Sequence, residues 1–306
     1  MKKQLNIRWD VRDATGYLFS FAKSLSCAVK HSPWRAFAED IVATSGFAFR
    51  MWVSQDLCPS ATSIWEFDRQ KPWVESGGLA CDYVGRCWGE EQFEETRRLQ
   101  ALNAIRASVD AGVPAVAWDI GIPEWGLVTG YDDEAGLLYA LPVNAGEPHA
   151  MPCDALGRRE VPILSVLTVT GASEKPKEAI LMDTMRLAVQ HLTGREWCEN
   201  QKGLAAYDAL IRVFSERWET ASSWNAEYFL GTYGALKEYA WKYFEKSGER
   251  ELAELYRAVF ESWMRAFSLL KTGGEKEDAA AEIAKLLRSA RDSESQAVEI
   301  MQGRTA

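Results

Sequence analysis

The sequence predicts an α+β fold in which a domain of short strands and helices, residues 1–173, precedes an α-helical bundle domain, residues 174–306. Two observations carry this prediction. Up to about Ser173, short apolar runs alternate with glycine and proline, which is typical of strands joined by turns. After Lys177 the apolar residues follow a helical period almost to the end, and no proline occurs after Pro176.

Helices are expected at three places in the first domain. Apolar patterns predict helices over residues 14–30 and 34–45. A third, amphipathic helix is predicted over residues 93–111, because Gly112 follows it as a C-cap. The rest of this domain is left for strands and turns.

Strands are predicted over residues 113–118, 125–131, 137–141 and 163–170, which are short and rich in Val, Leu, Ile and aromatic residues. The polar segment 132–136 supplies a turn between two of them. We therefore expect the second, third and fourth of these strands to form a meander.

The second domain shows stripes of apolar residues at i, i+3, i+4 spacing, which indicate packed helices. The stripes are Leu204, Tyr207, Leu210, Ile211, Phe214 and Trp218; Tyr233, Leu236, Ala240, Tyr243 and Phe244; and Leu252, Leu255, Tyr256, Val259, Phe260, Trp263, Phe267 and Leu270. A last helical segment, residues 277–301, becomes polar, and its end is expected to fray.

Composition limits the classes of partner. The net charge of -9 argues against nucleic acid, since binding the phosphate backbone depends on clustered Lys and Arg. No apolar run is long enough to cross a bilayer, and charges near the N-terminus leave no signal-peptide core. These features predict no membrane association and a cytoplasmic location.

No cofactor or metal is predicted. The six cysteines lack the paired spacing of a zinc site and are expected to remain free thiols. No glycine-rich phosphate loop is present, so the sequence gives no support for a nucleotide cofactor.

Several segments carry a family resemblance: SGFAFR (residues 45–50), CPSA (residues 58–61), the strand pair around Gly130-Tyr131-Asp132, and GLAAY (residues 203–207). Together they resemble the butirosin-biosynthesis acyltransferase-like proteins over most of the chain. That family joins a papain-like, cysteine-peptidase-type domain to a helical C-terminal domain. The resemblance implies a cysteine at the start of the first long helix, a histidine on the central strand, and an Asp or Asn on the next strand.

The chain departs from that catalytic pattern. No cysteine stands at the predicted start of the first helix, and Cys27 lies roughly three turns further on. Trp125 and Gly126 stand where the histidine would open the strand, and Asn144 has no imidazole to orient. The sequence therefore predicts that the inherited Cys–His pair is missing and favours a non-enzyme.

Two carboxylates suggest a binding role for the remaining cleft. Asp119 and Glu124 flank an apolar loop, where an acidic pair favours a cationic or amine-bearing ligand. We expect Arg50, Trp52, Asp119, Glu124 and Trp125 to line or approach the cleft. An ordinary charged loop beside a sheet remains the alternative.

The leading hypothesis is thus a papain-like fold with a degenerate catalytic site that binds a small amine-bearing or peptide-like ligand. A second hypothesis is an active cysteine-dependent acyltransferase or amide hydrolase that uses Cys58 with His149. A third is a structural or assembly protein, in which the aromatic-rich helical half supplies a homodimer interface.

Overall fold

The computed structural model describes residues 1–63, 65–196, 199–273 and 277–305. The strands are β1 (Lys2–Gln4), β2 (Trp52–Val53), β3 (Leu79–Arg86), β4 (Ala115–Ala117), β5 (Gly126–Asp132), β6 (Leu137–Leu141), β7 (His149–Pro152), β8 (Leu164–Ala172) and β9 (Gln201–Lys202). The α-helices are α1 (Ser20–Lys30), α2 (Ile41–Thr44), α3 (Gln70–Ser76), α4 (Glu94–Asp110), α5 (Lys177–Leu192), α6 (Leu204–Glu216), α7 (Ser223–Lys246), α8 (Arg250–Gly273) and α9 (Glu277–Thr305).

An antiparallel sheet followed by a helical C-terminal region confirms the α+β part of the fold prediction. The chain divides into two compact units. The sheet unit consists of Met1–Arg12, Ser20–Ile41 and Glu66–Lys175, and the helical unit consists of Asp13–Phe19, Val42–Trp65 and Pro176–Ala306. The single domain boundary after residue 173 stays a prediction.

The main sheet lies in the sheet unit and has the strand order β3-β8-β4-β5-β6-β7, with β1 paired to β5. The predicted β5–β6 hairpin is present, with Val128 opposite Ala140. The rest of the predicted meander is wrong, because β8 lies between β3 and β4, and the neighbour of β6 is β7.

The sequence pattern of these two strands explains the error. Strand β7 was missed because three of its four residues are exposed and one is Pro152, which suits an edge strand. Strand β8 is buried over its first six residues, as an interior strand should be. Its apolar pattern predicted a strand correctly but gave no information about its neighbours.

Helix α4 packs on one face of the sheet and forms a core with it. The core residues are Ala101, Leu102, Ile105, Val109, Ala115, Ala117, Ile120, Val128, Tyr131, Leu138, Ala140, Met151, Leu156, Leu164 and Val166. Helix α1 also packs on β4 and β5 and contributes no residue to this core. Strand β4 is buried along its whole length. A hydrogen bond from the backbone N–H of Trp125 to the Ser20 hydroxyl places the start of α1 beside the β4–β5 connection.

In the helical unit, α8 packs between α7 and α9, and α5 and α6 contact α9. The predicted stripes supply its buried residues, including Tyr207, Phe244 and Trp263. The expected fraying of the last segment is not seen. Helix α9 continues to Thr305 because Ala297, Val298 and Met301 are buried near its end. Within the described ranges, none of the helices combines the length and the apolar character needed to span a bilayer.

Candidate functional site

Helix α1 begins with Ser20, whose hydroxyl contacts a carboxylate of the β4–β5 connection. Its Oγ donates a hydrogen bond to Oε2 of Glu124 and accepts one from the backbone N–H of Trp125, with an N–O distance of 3.3 Å. Ser20 is 5% exposed, whereas Glu124 is half-buried. We call these two residues the Ser20–Glu124 pair.

The β4–β5 connection is fixed by Asp119, which is only 2% exposed. Its carboxylate accepts hydrogen bonds from Nε of Arg159 at 3.4 Å and from the backbone N–H of Val161 at 3.2 Å. The backbone N–H of Ile120 donates to the carbonyl of Glu124 at 3.2 Å. Asp119 is thus engaged in holding the loop that carries Glu124.

Gly121 allows the sharp turn of this loop. Its φ is +82°, and a Cβ atom added there would lie 2.6 Å from Cγ of Pro142. Its carbonyl also accepts a hydrogen bond from Arg159 at 2.9 Å. The positive φ and the close approach of Pro142 both require a glycine here, because glycine tolerates positive φ and has no side chain.

An aromatic cluster lies next to the Ser20–Glu124 pair. The Trp125 ring is 4.9 Å from Phe21, 5.0 Å from Phe67 and 5.3 Å from Trp118, measured between centroids. Trp125 is fully buried, so its ring supports the site from within the core. The indole N–H of Trp118 is buried and makes no hydrogen bond to any part of the chain that the structure describes.

Arg50 and Trp52, which the sequence placed at the same cleft, belong to the helical unit. The Arg50 guanidinium is 4% exposed and lies over the rings of Trp52, at 3.8 Å, and Trp65, at 4.7 Å. Its Nε donates to Oε2 of Glu196 at 3.2 Å. This geometry gives Arg50 a role in packing, and its membership of a common cleft with Glu124 stays a prediction.

The Glu196 carboxylate, which accepts a hydrogen bond from Arg50, also contacts His191. Nδ1 of His191 lies against Oε1 of Glu196, and both side chains are buried. Burial and the nearby Arg50 charge lower the pKa of His191 to about 3, so the imidazole is neutral near pH 7. Nε2 of His191 faces Gly46, where an added Cβ would lie only 2.5 Å away. The imidazole is therefore enclosed.

Cys58, the candidate nucleophile, lies in the helical unit on a small polar pocket of about 290 Å³. Its Sγ is 2.9 Å from Oγ of Ser60, and its backbone N–H donates to Ser54 at 2.6 Å. The other lining residues are Asp56, Ala61, Glu199 and Asn200. Among these described lining residues there is no basic side chain to activate the thiol.

His149, the candidate base, is exposed at the start of β7 in the sheet unit. Three residues lie between it and Cys153, and the four steps of extended chain span about 13 Å. Burial raises the pKa of the Cys153 thiol, which opposes its activation. A catalytic partnership of His149 with Cys58 stays a prediction.

Burial also raises the pKa of other cysteine thiols. Cys27, Cys58, Cys81, Cys87 and Cys153 are free. Burial raises the pKa of Cys27 to about 11 and that of Cys81 to about 12, so neither is a thiolate at neutral pH. Over the described part of the chain, no three His, Cys, Asp or Glu side chains form a group that could hold a metal ion.

Comparison with known proteins adds no assignment: no family model matches the chain, and no curated protein matches its sequence. The functional proposal therefore depends on the geometry of the site itself.

Sequence reasoning identified Glu124 and Trp125 but missed Ser20, because the predicted first helix began at residue 14. The signal for the later start was a turn. The Asp13 side chain accepts hydrogen bonds from the backbone N–H groups of Thr15, Gly16 and Leu18, and Gly16 has a φ of +82°. Asp and Gly three residues apart are typical of such turns.

Proposed function

We propose that this protein binds a small amine-bearing or peptide-like ligand, and that Glu124 in the sheet unit is the centre of the binding site. The observation that carries the proposal is the half-buried Glu124 carboxylate held by the Ser20 hydroxyl beside the aromatic cluster. A carboxylate that is oriented by a hydrogen bond and still reaches the surface suits recognition of an ammonium group.

The surroundings of Glu124 support specific binding. Asp119 and Gly121 fix the loop, so the carboxylate is presented from a constrained backbone. The aromatic cluster gives the site a rigid base of low polarity, in which a charged hydrogen bond is stronger than in water. Together these features reduce the conformational entropy that the protein would lose on binding a ligand.

We also propose that the sheet unit is papain-like in type. Support comes from the placement of the pair: Ser20 opens the first long helix, and Glu124 directly precedes Trp125 and strand β5. The resemblance implies a cysteine at the start of this helix and a histidine where Trp125 and Gly126 stand, so Glu124 immediately precedes the second place. A serine and a carboxylate at or beside these places agree with a site that has changed its chemistry.

The test is calorimetric titration of a panel of amines, from ethylamine to glycinamide and dipeptide amides, into wild-type protein and the Glu124→Gln variant. The variant keeps the shape of the side chain but loses its charge. Hydrogen bonds to charged groups contribute about 1.5–3 kcal/mol, so affinity should fall about 10- to 150-fold.

Glu147→Gln is the matched control, since Glu147 is an exposed carboxylate of the same unit. The control should bind the panel as the wild type does. Equal affinity of the Glu124→Gln variant and the wild type, or failure of every amine to bind at millimolar concentration, would overturn the proposal.

A further inference from the structure

We infer that Ser20 is a nucleophile that attacks carboxylic esters, with the Glu124 carboxylate as its base. The inference rests on the proposed binding site, because the ester has to reach the same carboxylate. The Ser20 hydroxyl already donates its hydrogen to Oε2 of Glu124. A hydroxyl bonded in this way to a basic group is the arrangement that general-base activation requires.

A second hydrogen bond orients the nucleophile. A serine hydroxyl has one hydrogen and two lone pairs. The hydrogen goes to Glu124, and one lone pair accepts the backbone N–H of Trp125 at 3.3 Å. The other lone pair is the one that bonds to an acyl carbon, and both contacts hold the oxygen in a single orientation.

The place of Ser20 in the fold also favours the reaction. It is the first residue of α1, an 11-residue helix, and the N-terminus of a helix carries partial positive charge. This charge stabilises the oxyanion that forms when the ester carbonyl is attacked.

The step conserves atoms and charge. Ser20 Oγ forms a bond to the acyl carbon while its proton moves to Glu124. The bond from the acyl carbon to the alcohol oxygen then breaks, and that oxygen takes the proton from Glu124 and leaves as the alcohol. The product is an acyl ester of Ser20 with the carboxylate restored. Water then attacks the acyl carbon while one of its protons moves to Glu124. The bond between the acyl carbon and Ser20 Oγ breaks, Oγ takes that proton, and the acid is released with the serine and the carboxylate restored.

The test uses p-nitrophenyl acetate with the full-length protein. Release of p-nitrophenol gives the rate, and peptide mass spectrometry locates the acetyl group. Acetylation is expected on Ser20 and is absent in Ser20→Ala. Glu124→Gln should slow the reaction about 10²- to 10⁴-fold, the usual contribution of a general base. Ser173→Ala and Glu147→Gln change exposed side chains of the same unit and should react as the wild type does.

Acetylation of Ser20→Ala at the wild-type rate, or an acetyl group found on lysine or Cys58 and not on Ser20, would overturn the inference. Thermal unfolding of each variant shows whether it is folded. Calorimetry with amines separates the two proposals: intact amine binding without acetylation contradicts the nucleophile alone, whereas acetylation without Glu124-dependent amine binding contradicts the binding function.

Discussion

The two units of the molecule treat their carboxylates differently. In the helical unit, Glu294 on α9 is fully buried, accepts a hydrogen bond from Tyr207 at 2.7 Å, and pairs with Lys237 on α7 at 2.7 Å. In the sheet unit, Glu124 is half-buried, and the Ser20 hydroxyl donates a hydrogen bond to it. The contrast separates a carboxylate that is fully buried in a core from one that solutes in water can reach.

The buried pair of the helical unit is part of a network. Trp263 Nε1 donates to the Tyr207 hydroxyl at 2.9 Å, so four helices are joined through Glu294. Burial lowers the pKa of Lys237, and the Glu294 charge opposes this effect. Such a network fixes how helices pack, and removing one charge leaves the other buried without compensation.

The largest effect should therefore come from Lys237→Ala. It leaves the Glu294 charge in the core, and we expect the free energy of unfolding to fall by about 3–5 kcal/mol. Chemical denaturation followed by circular dichroism measures this. The double variant Lys237→Met, Glu294→Met should recover much of the loss, and a single variant as stable as the wild type would mean that the pair is not sealed.

The next effect concerns pH and His191. The ordinary pKa of histidine is about 6.5, and the folded protein lowers it to about 3, so the unfolded chain takes up a proton that the folded protein does not. This contribution to stability is complete above about pH 6.5 and is lost as the pH falls towards 3. Its slope approaches 1.4 kcal/mol per pH unit at about pH 5.

His191→Gln should flatten that part of the stability curve, measured by urea unfolding between pH 4 and pH 7. His149→Gln, which removes an exposed imidazole from β7, is the matched control. If both variants change the slope equally, burial of His191 does not cause the pH dependence.

A smaller effect is expected at the loop that carries Glu124. Gly121→Ala places a side chain at a φ of +82° and against Pro142, and such strain costs about 1–3 kcal/mol. Gly136→Ala is the control, because its φ is +66° but the space around it is open. Gly121→Ala should be the less stable variant and should also bind amines more weakly. Equal unfolding free energies of Gly121→Ala and Gly136→Ala would show that Pro142 moves to accommodate the added side chain.

The smallest change in stability should come from Glu124→Gln, for which we expect a large effect on amine binding. The amide oxygen can still accept the hydrogen bond from Ser20, so we expect a loss of less than about 1 kcal/mol. Differential scanning calorimetry tests this. A loss as large as that of Lys237→Ala would place Glu124 with the structural carboxylates and contradict the contrast between the two units.

Local patterns in the sequence predicted individual helices and strands well, but they predicted poorly which strands pair with each other. The β5–β6 hairpin and helix α4 followed from turn residues and periodicity, since both are local properties. The pairing of β8 between β3 and β4 depends on contacts distant in sequence, which no local pattern encodes.

The residues of the candidate site also show that local sequence patterns do not predict contacts between distant segments. Glu124 and Trp125 were identified because they border a strand. Ser20 was missed because the apolar residues before it extended the predicted helix, and only its hydrogen bond to Glu124 reveals its place. Arg50 was expected at a ligand, which stays a prediction. Its partners include Trp52, two residues away, and Glu196, which lies far along the chain, so no local pattern describes its surroundings.

Carbodiimide coupling with glycinamide is the most direct test of amine binding at Glu124, because the amine is both ligand and label. Peptide mass spectrometry then compares Glu124 with the exposed Glu147 and the buried Glu294. We expect that coupling at Glu124 saturates as glycinamide increases, that coupling at Glu147 rises linearly, and that Glu294 stays unlabelled in the folded protein. Linear coupling at Glu124, no faster than at Glu147, would contradict a binding site centred on this carboxylate.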